Sequence, residues 1–439
     1  MSVPGIEQNR AFAQQCFNGG NLAAAEIICR NILDAAPADA EALHLIGMIA
    51  ARIGMRDHAA RYLSSALSAN PANHAARDSL NALRANPLLA NARPQQQPMD
   101  PKYLVIKSWG FGFWSDVSQV LGALLLAEVT DRIPVVHWGR NSLFGDGSAA
   151  NAFHNYFEPV SNVTLEDMAR LPGAHCFPPK WNQKNLFEEE VNKWQGSYSR
   201  AAALYLLARP ETIAVCDFYI GVIDVVPWLA ADHPMHEKPL IDVYRYLIKK
   251  YLRPRQSIVD GCESFYEAHL GGGPFVAFHV RGSDKAIEDA ELDRINQSNW
   301  AALKTVDTTW KTFLLTDDEN WVSRARGAYG DRVITTDCRR TSGKTGLHHL
   351  NLDDRVRLGR EVMADVYIAL RADKFIGNGR SNVAAFIALL KNWNAGDCIL
   401  DAPSQLMVRN LFTHVVNDGR GAGLCQDREH GSISRYRGR

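Results

Sequence analysis

Three short polar segments in the C-terminal half of the chain have residue types that could hold a phosphate-bearing ligand. They are residues 279–285 (HVRGSDK), 316–318 (TDD) and 378–382 (NGRSN), and the first two follow apolar, strand-like runs. In open α/β sheets, ligands bind beyond the carboxyl ends of the strands. We therefore expect the three segments to line one cleft. A strand that simply ends in a solvated, charged loop would give the same local pattern.

Arg281 and Ser381 offer two kinds of phosphate contact. The guanidinium of Arg281 is a planar fork of donors that matches a diphosphate, and His279 precedes it near the end of the predicted strand. Ser381 opens a predicted helix, whose N-terminus presents free backbone N–H groups to an anion. Capping of that helix is the alternative role for the Ser381 side chain.

Asp365 lies on or beside the apolar stripe of a predicted helix. Val362 and Ile368, three residues away on either side, point to the core. A buried carboxylate requires hydrogen-bond donors, and the N1–H and N2–H₂ groups of a guanine base would supply them. A buried salt bridge to Arg371 or Arg380 is the competing explanation.

The elements that position these residues alternate between strand and helix. The second series comprises predicted strands at 275–280, 311–316, 332–336 and 374–377, with helices around 321–328, 353–370 and 382–393. An earlier series comprises a strand at 103–107, a loop with Gly110 and Gly112, a helix at 117–129 and a strand at 133–138. Such alternation is typical of parallel sheets. It predicts two α/β domains with a ligand cleft between them. Residues 139–200 show too little periodicity to be placed.

The N-terminal segment repeats with a period of 34 residues. The matched pairs are Gly20 and Gly54, Ala25 and Ala59, Leu33 and Leu67, Pro37 and Pro71, and Ala42 and Ala76. The segment resembles tetratricopeptide repeats, with about two units visible. Two units bury little surface between them, so we expect them to rest on the following domain or on a second copy of the chain. They would serve either as a platform for an acceptor or protein partner, or as a structural cap or dimerisation element.

The composition excludes several classes of protein. Lys plus Arg equals Asp plus Glu at 48 each in 439 residues, so no global field favours nucleic acid or an anionic membrane. No apolar run is long enough to span a bilayer, and the N-terminus lacks a secretory signal. The eight cysteines show no metal-binding spacing, and the pair His348-His349 lacks nearby ligands. These features predict a cytoplasmic protein with reduced thiols and without a membrane span, a metal or a nucleic-acid partner.

Five motifs occur in the order seen in the fucosyltransferase superfamily, which includes α-1,6-, rhizobial nodulation and protein O-fucosyltransferases. They are HVRGSDK, TDD, GLHH at 346–349, ADVYIALRAD at 364–373 and GNGRSN at 377–382. The stretch SWGFGFWSDV at 108–117 is similar to the first-domain loop of the same group. The resemblance covers about residues 103–395, and the repeats are an addition. Many α-1,6 members carry a second arginine where this chain has Gly282, which leaves the acceptor class open.

The resemblance implies a GT-B fold of two Rossmann-like domains and an inverting, metal-independent transfer from GDP-fucose. It assigns the nucleoside to His279, guanine to Asp365 and the β-phosphate to Arg281. Ser381 and Asn382 would hold phosphate, and Gly110 and Gly112 would let the first-domain backbone approach the diphosphate.

The leaving GDP develops negative charge, which Arg281 and a helix N-terminus can stabilise. Lys285 is a further candidate for this task, and a solvated lysine is the alternative. The acceptor hydroxyl must lose its proton, and Glu288 or Asp289 is the candidate base. The alternative is that this acidic stretch is a solvated helix start.

The predicted fold class is therefore α/β of the GT-B type, preceded by a small all-α repeat domain. The predicted bounds are 1–86 for the repeats, 87–101 for a linker, 102–265 for the acceptor-side domain, 266–425 for the donor domain and 426–439 for a basic tail. The predicted activity is fucosyl transfer from GDP-fucose to a hydroxyl of a glycan or protein. The alternatives are a glycosyltransferase for another nucleotide sugar and a non-catalytic repeat protein with a nucleotide- or glycan-binding module.

Overall fold

The structure is a computed structural model. It describes residues 3–85, 100–140, 142–187, 203–217, 219–282, 291–343, 346–347, 350 and 354–407. The predicted linker lies outside these residues except for positions 100–101, and the predicted basic tail lies wholly outside them.

Five helices form the N-terminal unit, each packed against the next. They are α1 (Val3–Asn18), α2 (Leu22–Ala35), α3 (Ala40–Arg52), α4 (Arg56–Ala69) and α5 (His74–Ala85). Gly20 and Gly54, one predicted period apart, both sit in the turn of a helix pair with φ of 83° and 84°. Only glycine adopts this left-handed conformation without strain, so the repeated glycine follows from the repeated turn.

The helical unit rests on the segment that follows it in the chain, which was one of the two predicted supports. Trp228 lies between Arg30, whose guanidinium carbon is 5.1 Å from the indole centroid, and the imidazole of His58, at 5.6 Å. The hydroxyl of Tyr62 donates to the carbonyl of Pro227 over 3.2 Å. The side chain of Arg61 contacts His236 at 2.7 Å. These contacts join the repeats to the first α/β unit.

The first α/β unit is built on a parallel four-stranded sheet with the order β2-β1-β4-β3. Its strands are β1 (Tyr103–Lys107), β2 (Ile133–His137), β3 (Cys176–Phe177) and β4 (Ile213–Cys216). Its described α-helices are α6 (Phe113–Val129), α7 (Leu165–Ala169), α8 (Ala203–Leu207), α9 (Val222–Val225) and α10 (Leu240–Tyr251). The next helix, α11 (Gln256–His269), packs against the second unit, where Tyr266 contacts Phe275 and Phe265 contacts Phe313.

The second α/β unit is built on a parallel five-stranded sheet with the order β7-β6-β5-β8-β9. Its strands are β5 (Phe275–Val280), β6 (Lys311–Thr316), β7 (Val333–Ile334), β8 (Lys374–Gly377) and β9 (Cys398–Leu400). Its described α-helices are α12 (Leu292–Leu303), α13 (Glu319–Tyr329), α14 (Arg355–Ala369) and α15 (Asn382–Leu390). The predicted fold class, helical repeats followed by two parallel α/β units, is confirmed.

The two sheets meet through helices that begin at their carboxyl edges. Trp114 lies in the first turn of α6, which follows β1, and its ring centroid is 4.6 Å from that of Phe386 in α15, which follows β8. The hydroxyl of Tyr156, in the first unit, is also 3.2 Å from the carbonyl of Val356 in α14. The first of these contacts therefore joins two helices that each start at the carboxyl edge of their own sheet.

Several predicted elements differ in extent from those observed. Strand β7 has only two residues, and α15 ends at Leu390 because the chain becomes extended at Lys391. Strands β3, β4 and β9 were not predicted.

Two further properties of the described residues complete the fold. In the described ranges no helix is long and apolar enough to cross a membrane. The seven cysteines among those residues are free thiols.

Candidate functional site

Arg281 is the first residue after β5, and Asp317 on the neighbouring strand end fixes its direction. Its Nη1 donates to Oδ2 of Asp317 over 2.5 Å, and both side chains are largely buried. The other oxygen of the same carboxylate accepts the N–H of Gly282 over 3.0 Å. One carboxylate therefore holds both the guanidinium and the backbone that follows it.

Gly282 has a steric reason to be glycine. A Cβ at this position would lie 2.6 Å from Cβ of Asp318 and 2.8 Å from its Oδ2. Asp318 in turn accepts the N–H of Asn320 over 2.9 Å as the N-cap of α13. The second arginine that many α-1,6 members carry here would displace this cap, so the departure from their pattern has a local cause.

His279 lies on β5 and is buried, with 4% of its surface exposed. It shares a strand face with Phe275 and Ala277, which pack in one cluster with Leu358 of α14. Burial, together with the nearby charge of Arg281, lowers the pKa of His279 to about 4. Its Nδ1 has no hydrogen-bond partner. His279 is therefore neutral at pH 7 and is available to accept or donate one hydrogen bond there.

Asp365 lies on α14 beside the carboxyl end of β7. Its Oδ1 accepts the hydroxyl of Thr336 over 2.6 Å. Burial raises the pKa of Asp365 to about 6, an effect that Thr336 and the positive charge of Arg340 reduce. The competing salt bridge is not observed, because among the described residues Asp365 forms no ion pair and Arg371 instead pairs with Glu263 at 3.2 Å. The carboxylate is thus poorly compensated, as expected for a group that awaits donors from a ligand.

Ser381 occupies the N-cap position of α15, but its side chain makes no capping hydrogen bond. The alternative role of simple capping is therefore not observed. The N–H of Ser381 donates to the carbonyl of Asn378 over 2.9 Å, which turns the chain from β8 into the helix. Asn382 is the first residue of α15. The contact between Trp114 and Phe386 brings this helix start to the loop that contains Gly110 and Gly112.

The loop of Gly110 and Gly112 is organised by Asp116, which the sequence analysis did not single out. Its buried carboxylate accepts the N–H of Gly110 over 3.0 Å, the N–H of Phe111 over 3.1 Å and the hydroxyl of Ser108 over 2.7 Å. Two loop amides therefore point at Asp116 and not at a ligand. Gly112 is the N-cap of α6, and a Cβ there would meet nothing within 4 Å. The signal for Asp116 was an acidic residue directly before the predicted helix; in the structure it lies in the first turn of α6.

A polar row at the carboxyl edge of the first sheet was also missed. Lys107 is in register with His137 on β2, and Asp217 follows β4 on the other side of β1. The ammonium of Lys107 donates to the carbonyl of Leu186, and Asp217 pairs with Lys180. Burial lowers the pKa of His137 to about 3. Each residue lies at or directly after the end of an apolar strand, the same signal that marked Arg281, and all three are buried.

Three predicted catalytic residues, Lys285, Glu288 and Asp289, lie outside the described residues. The pair His348-His349 also lies outside them. In the described part of the chain no group of three or more His, Cys, Asp or Glu side chains is arranged to hold a metal ion.

Comparison with known proteins gives similar structures but no similar sequence. No family model matches this chain, and none of the curated proteins matches it. Fucosyltransferase NodZ from Bradyrhizobium is 20% identical with a TM-score of 0.45, over 66% of this chain and 94% of that chain. FUT1 from Arabidopsis thaliana, in complex with GDP, is 13% identical with a TM-score of 0.43, over 71% and 73% of the two chains. Fucosyltransferases, the group that the motifs resemble, are thus among the structures to which this chain is similar.

Proposed function

We propose that this protein is a glycosyltransferase that binds a GDP-sugar, with GDP-fucose as the donor that the motifs favour. The observation that carries the proposal is a row of complementary groups on four neighbouring strand ends. Asp365 with Thr336 lies at β7, Asp317 at β6, Arg281 at β5 and the start of α15 at β8. Three interstrand steps span about 14 Å, a distance comparable to an extended guanosine diphosphate.

The guanine base would bind at the β7 end of the row. A guanine presents N1–H and N2–H₂ as a pair of donors on one edge, and the carboxylate of Asp365 offers two acceptors in a poorly compensated setting. Uracil lacks this pair of donors, so the site favours GDP over UDP. His279 on β5, whose Nδ1 has no hydrogen-bond partner among the described residues, would contact the nucleoside.

The diphosphate would bind between β5 and β8. Arg281 supplies a guanidinium that Asp317 already orients, and the start of α15 supplies backbone N–H groups and the positive end of a helix dipole. Ser381 and Asn382 would complete this contact. Both groups are fixed before the ligand arrives, which is what stabilisation of a leaving group requires.

The transfer step would be an inverting displacement. The acceptor oxygen forms a bond to the anomeric carbon from the face opposite the diphosphate, and the bond between that carbon and the β-phosphate oxygen breaks. GDP leaves with the electron pair and is stabilised by Arg281 and α15 without a metal ion. The acceptor proton passes to Glu288 or Asp289, with Lys285 beside the leaving group. A hydroxyl of a glycan or protein is the acceptor in this scheme.

Donor turnover separates this activity from mere nucleotide binding. The purified protein should slowly hydrolyse GDP-fucose to GDP in preference to UDP- and ADP-sugars, because water replaces the acceptor. Arg281→Ala should abolish the reaction, whereas Arg324→Ala, at an exposed arginine of α13, should leave it unchanged. Activity that persists in excess chelator supports the metal-free step. Binding without turnover of any donor indicates a non-catalytic module, and turnover of another nucleotide sugar reassigns the donor.

A further inference from the structure

Besides the two hydrogen bonds with Asp317, a third hydrogen bond, from Asn296 of α12, holds the chain at Arg281. The Nδ2 of Asn296 donates to the main-chain carbonyl of Arg281 over 2.8 Å. Asp317 holds the guanidinium and the next amide, as described above, so the residue is fixed at its side chain, its carbonyl and its following N–H. The carbonyl of Arg281 lies just beyond the end of β5 and has left the sheet ladder, where a polar backbone group needs another partner.

Asn296 is an unusual residue for its position. It is 4% exposed, and it lies on the buried face of a helix whose other buried residues, apart from Asn299, are apolar. The buried residues of α12 are Leu292, Ile295, Asn296, Asn299, Trp300 and Leu303. Burial of a primary amide is unfavourable unless it is hydrogen-bonded, and Oδ1 of Asn296 has no partner among the residues that the structure describes. The hydrogen bond from its Nδ2 to the carbonyl of Arg281 is therefore the physical reason for an asparagine here.

The helix that carries Asn296 is itself anchored at the carboxyl edge of the sheet. The hydroxyl of Ser298 donates to Asp401 over 2.8 Å, and Arg294 pairs with the same carboxylate at 3.5 Å. Asp401 directly follows β9. The amide of Asn296 is thus presented from a support that is fixed to the sheet independently of Arg281.

We propose that Asn296 is a positioning residue that sets where the Arg281 guanidinium meets the β-phosphate; this inference rests on the proposed function. The bond to the carbonyl fixes the backbone angle at which the chain leaves β5. Without it, residue 281 can rotate even while its side chain stays paired with Asp317, and the donors move away from the phosphate.

Asn299 provides a matched control on the same helix. It is 1% exposed and lies one turn further along the same face, but it makes no hydrogen bond to Arg281. Its Nδ2 has no partner. Asn296→Ala and Asn299→Ala therefore both remove a buried amide, but only Asn296→Ala removes a hydrogen bond to the carbonyl of Arg281.

The test compares binding of GDP with binding of GMP, which lacks the β-phosphate. Asn296→Ala should weaken GDP binding about fivefold and leave GMP binding unchanged, whereas Asn299→Ala should change neither. In an Arg281→Ala background, Asn296→Ala should have no further effect on GDP. If the alanine variant does not fold, Asn296→Leu removes the donor at similar volume without adding a charge and should give the same split.

Equal weakening of GDP and GMP, or no effect on either, would overturn the positioning role. Full additivity with Arg281→Ala would do the same. Wild-type protein that binds neither nucleotide would instead contradict the proposed function, so the two failures are distinguishable.

Discussion

Asp365 links nucleotide binding to pH at the scale of a single residue. Burial places its pKa at about 6, and only the ionised form can accept both guanine donors. GDP affinity should therefore be full above pH 7 and fall as the pH drops through 6, by about tenfold per unit at the limit. Calorimetry between pH 5 and 8 measures this dependence. Asp365→Asn should bind GDP weakly and show no such slope, and an unchanged slope in that variant would exclude Asp365 as its source.

The same carboxylate should reduce stability at neutral pH. Its pKa in the folded protein lies above the ordinary value of 3.8, so folding favours the protonated form. The contribution to stability is thus largest below pH 4 and is lost as the pH rises through 6. Asp365→Asn should raise the free energy of unfolding at pH 7.5 while it lowers GDP affinity. A variant that loses both stability and binding would indicate a structural role.

Gly282 gives a second prediction at the residue scale. Gly282→Ala should displace Asp318 and weaken the cap of α13, which lowers the free energy of unfolding by about 1 kcal/mol. Gly273→Ala is the control, since a Cβ at that glycine would meet nothing within 4 Å. Chemical denaturation of both variants measures the difference, and equal stability would refute the steric explanation.

The loop before α6 makes a prediction at the scale of an element. Asp116→Ala removes three hydrogen bonds to the loop and should cost about 3 kcal/mol of stability. Asp242 occupies the first turn of α10 and is exposed without hydrogen bonds to a loop, so Asp242→Ala controls for the helix dipole. Denaturation curves that shift equally for the two variants would contradict the role of Asp116.

Elements with a long apolar run could be predicted from the sequence, and very short elements could not. Strands β1, β5, β6 and β8 were predicted with the observed bounds, because each apolar run ends in a charged or glycine-rich segment. Strand β3 has two residues and was not predicted, and β7, also with two, was predicted too long at 332–336, because so short a strand shows no period-2 pattern of its own. Their positions are set by pairing with neighbouring strands, which a local window does not contain.

The residues of the candidate site also differ in whether the sequence alone could identify them. Arg281, Asp365 and Ser381 could be selected from their own neighbours in sequence. Asp317 was visible only as part of the TDD motif, and its role depends on a contact across 36 residues. Asn296 and Asp116 looked like ordinary helix residues, because a hydrogen bond between a helix and another segment produces no periodic pattern in the sequence.

At the scale of the whole molecule, the repeats should be stabilised by the α/β unit. Trp228→Ala would remove the side chain that packs between Arg30 and His58. Hydrogen exchange in α2 and α4 should then become faster, while exchange in β5 and β6 stays unchanged. Trp310→Ala, at a partly buried tryptophan of the second unit, serves as the control. Unchanged exchange in the repeats would show that this contact does not support them.

The central claim is that four strand ends of the second sheet form a guanosine diphosphate site, and calorimetric titration with GDP and UDP tests it most directly. The wild-type protein should bind GDP with one site per chain and bind UDP far more weakly. Asp365→Asn should reduce the preference for GDP, and Arg281→Ala should weaken both nucleotides. Absence of GDP binding, or a preference for UDP, would contradict the account.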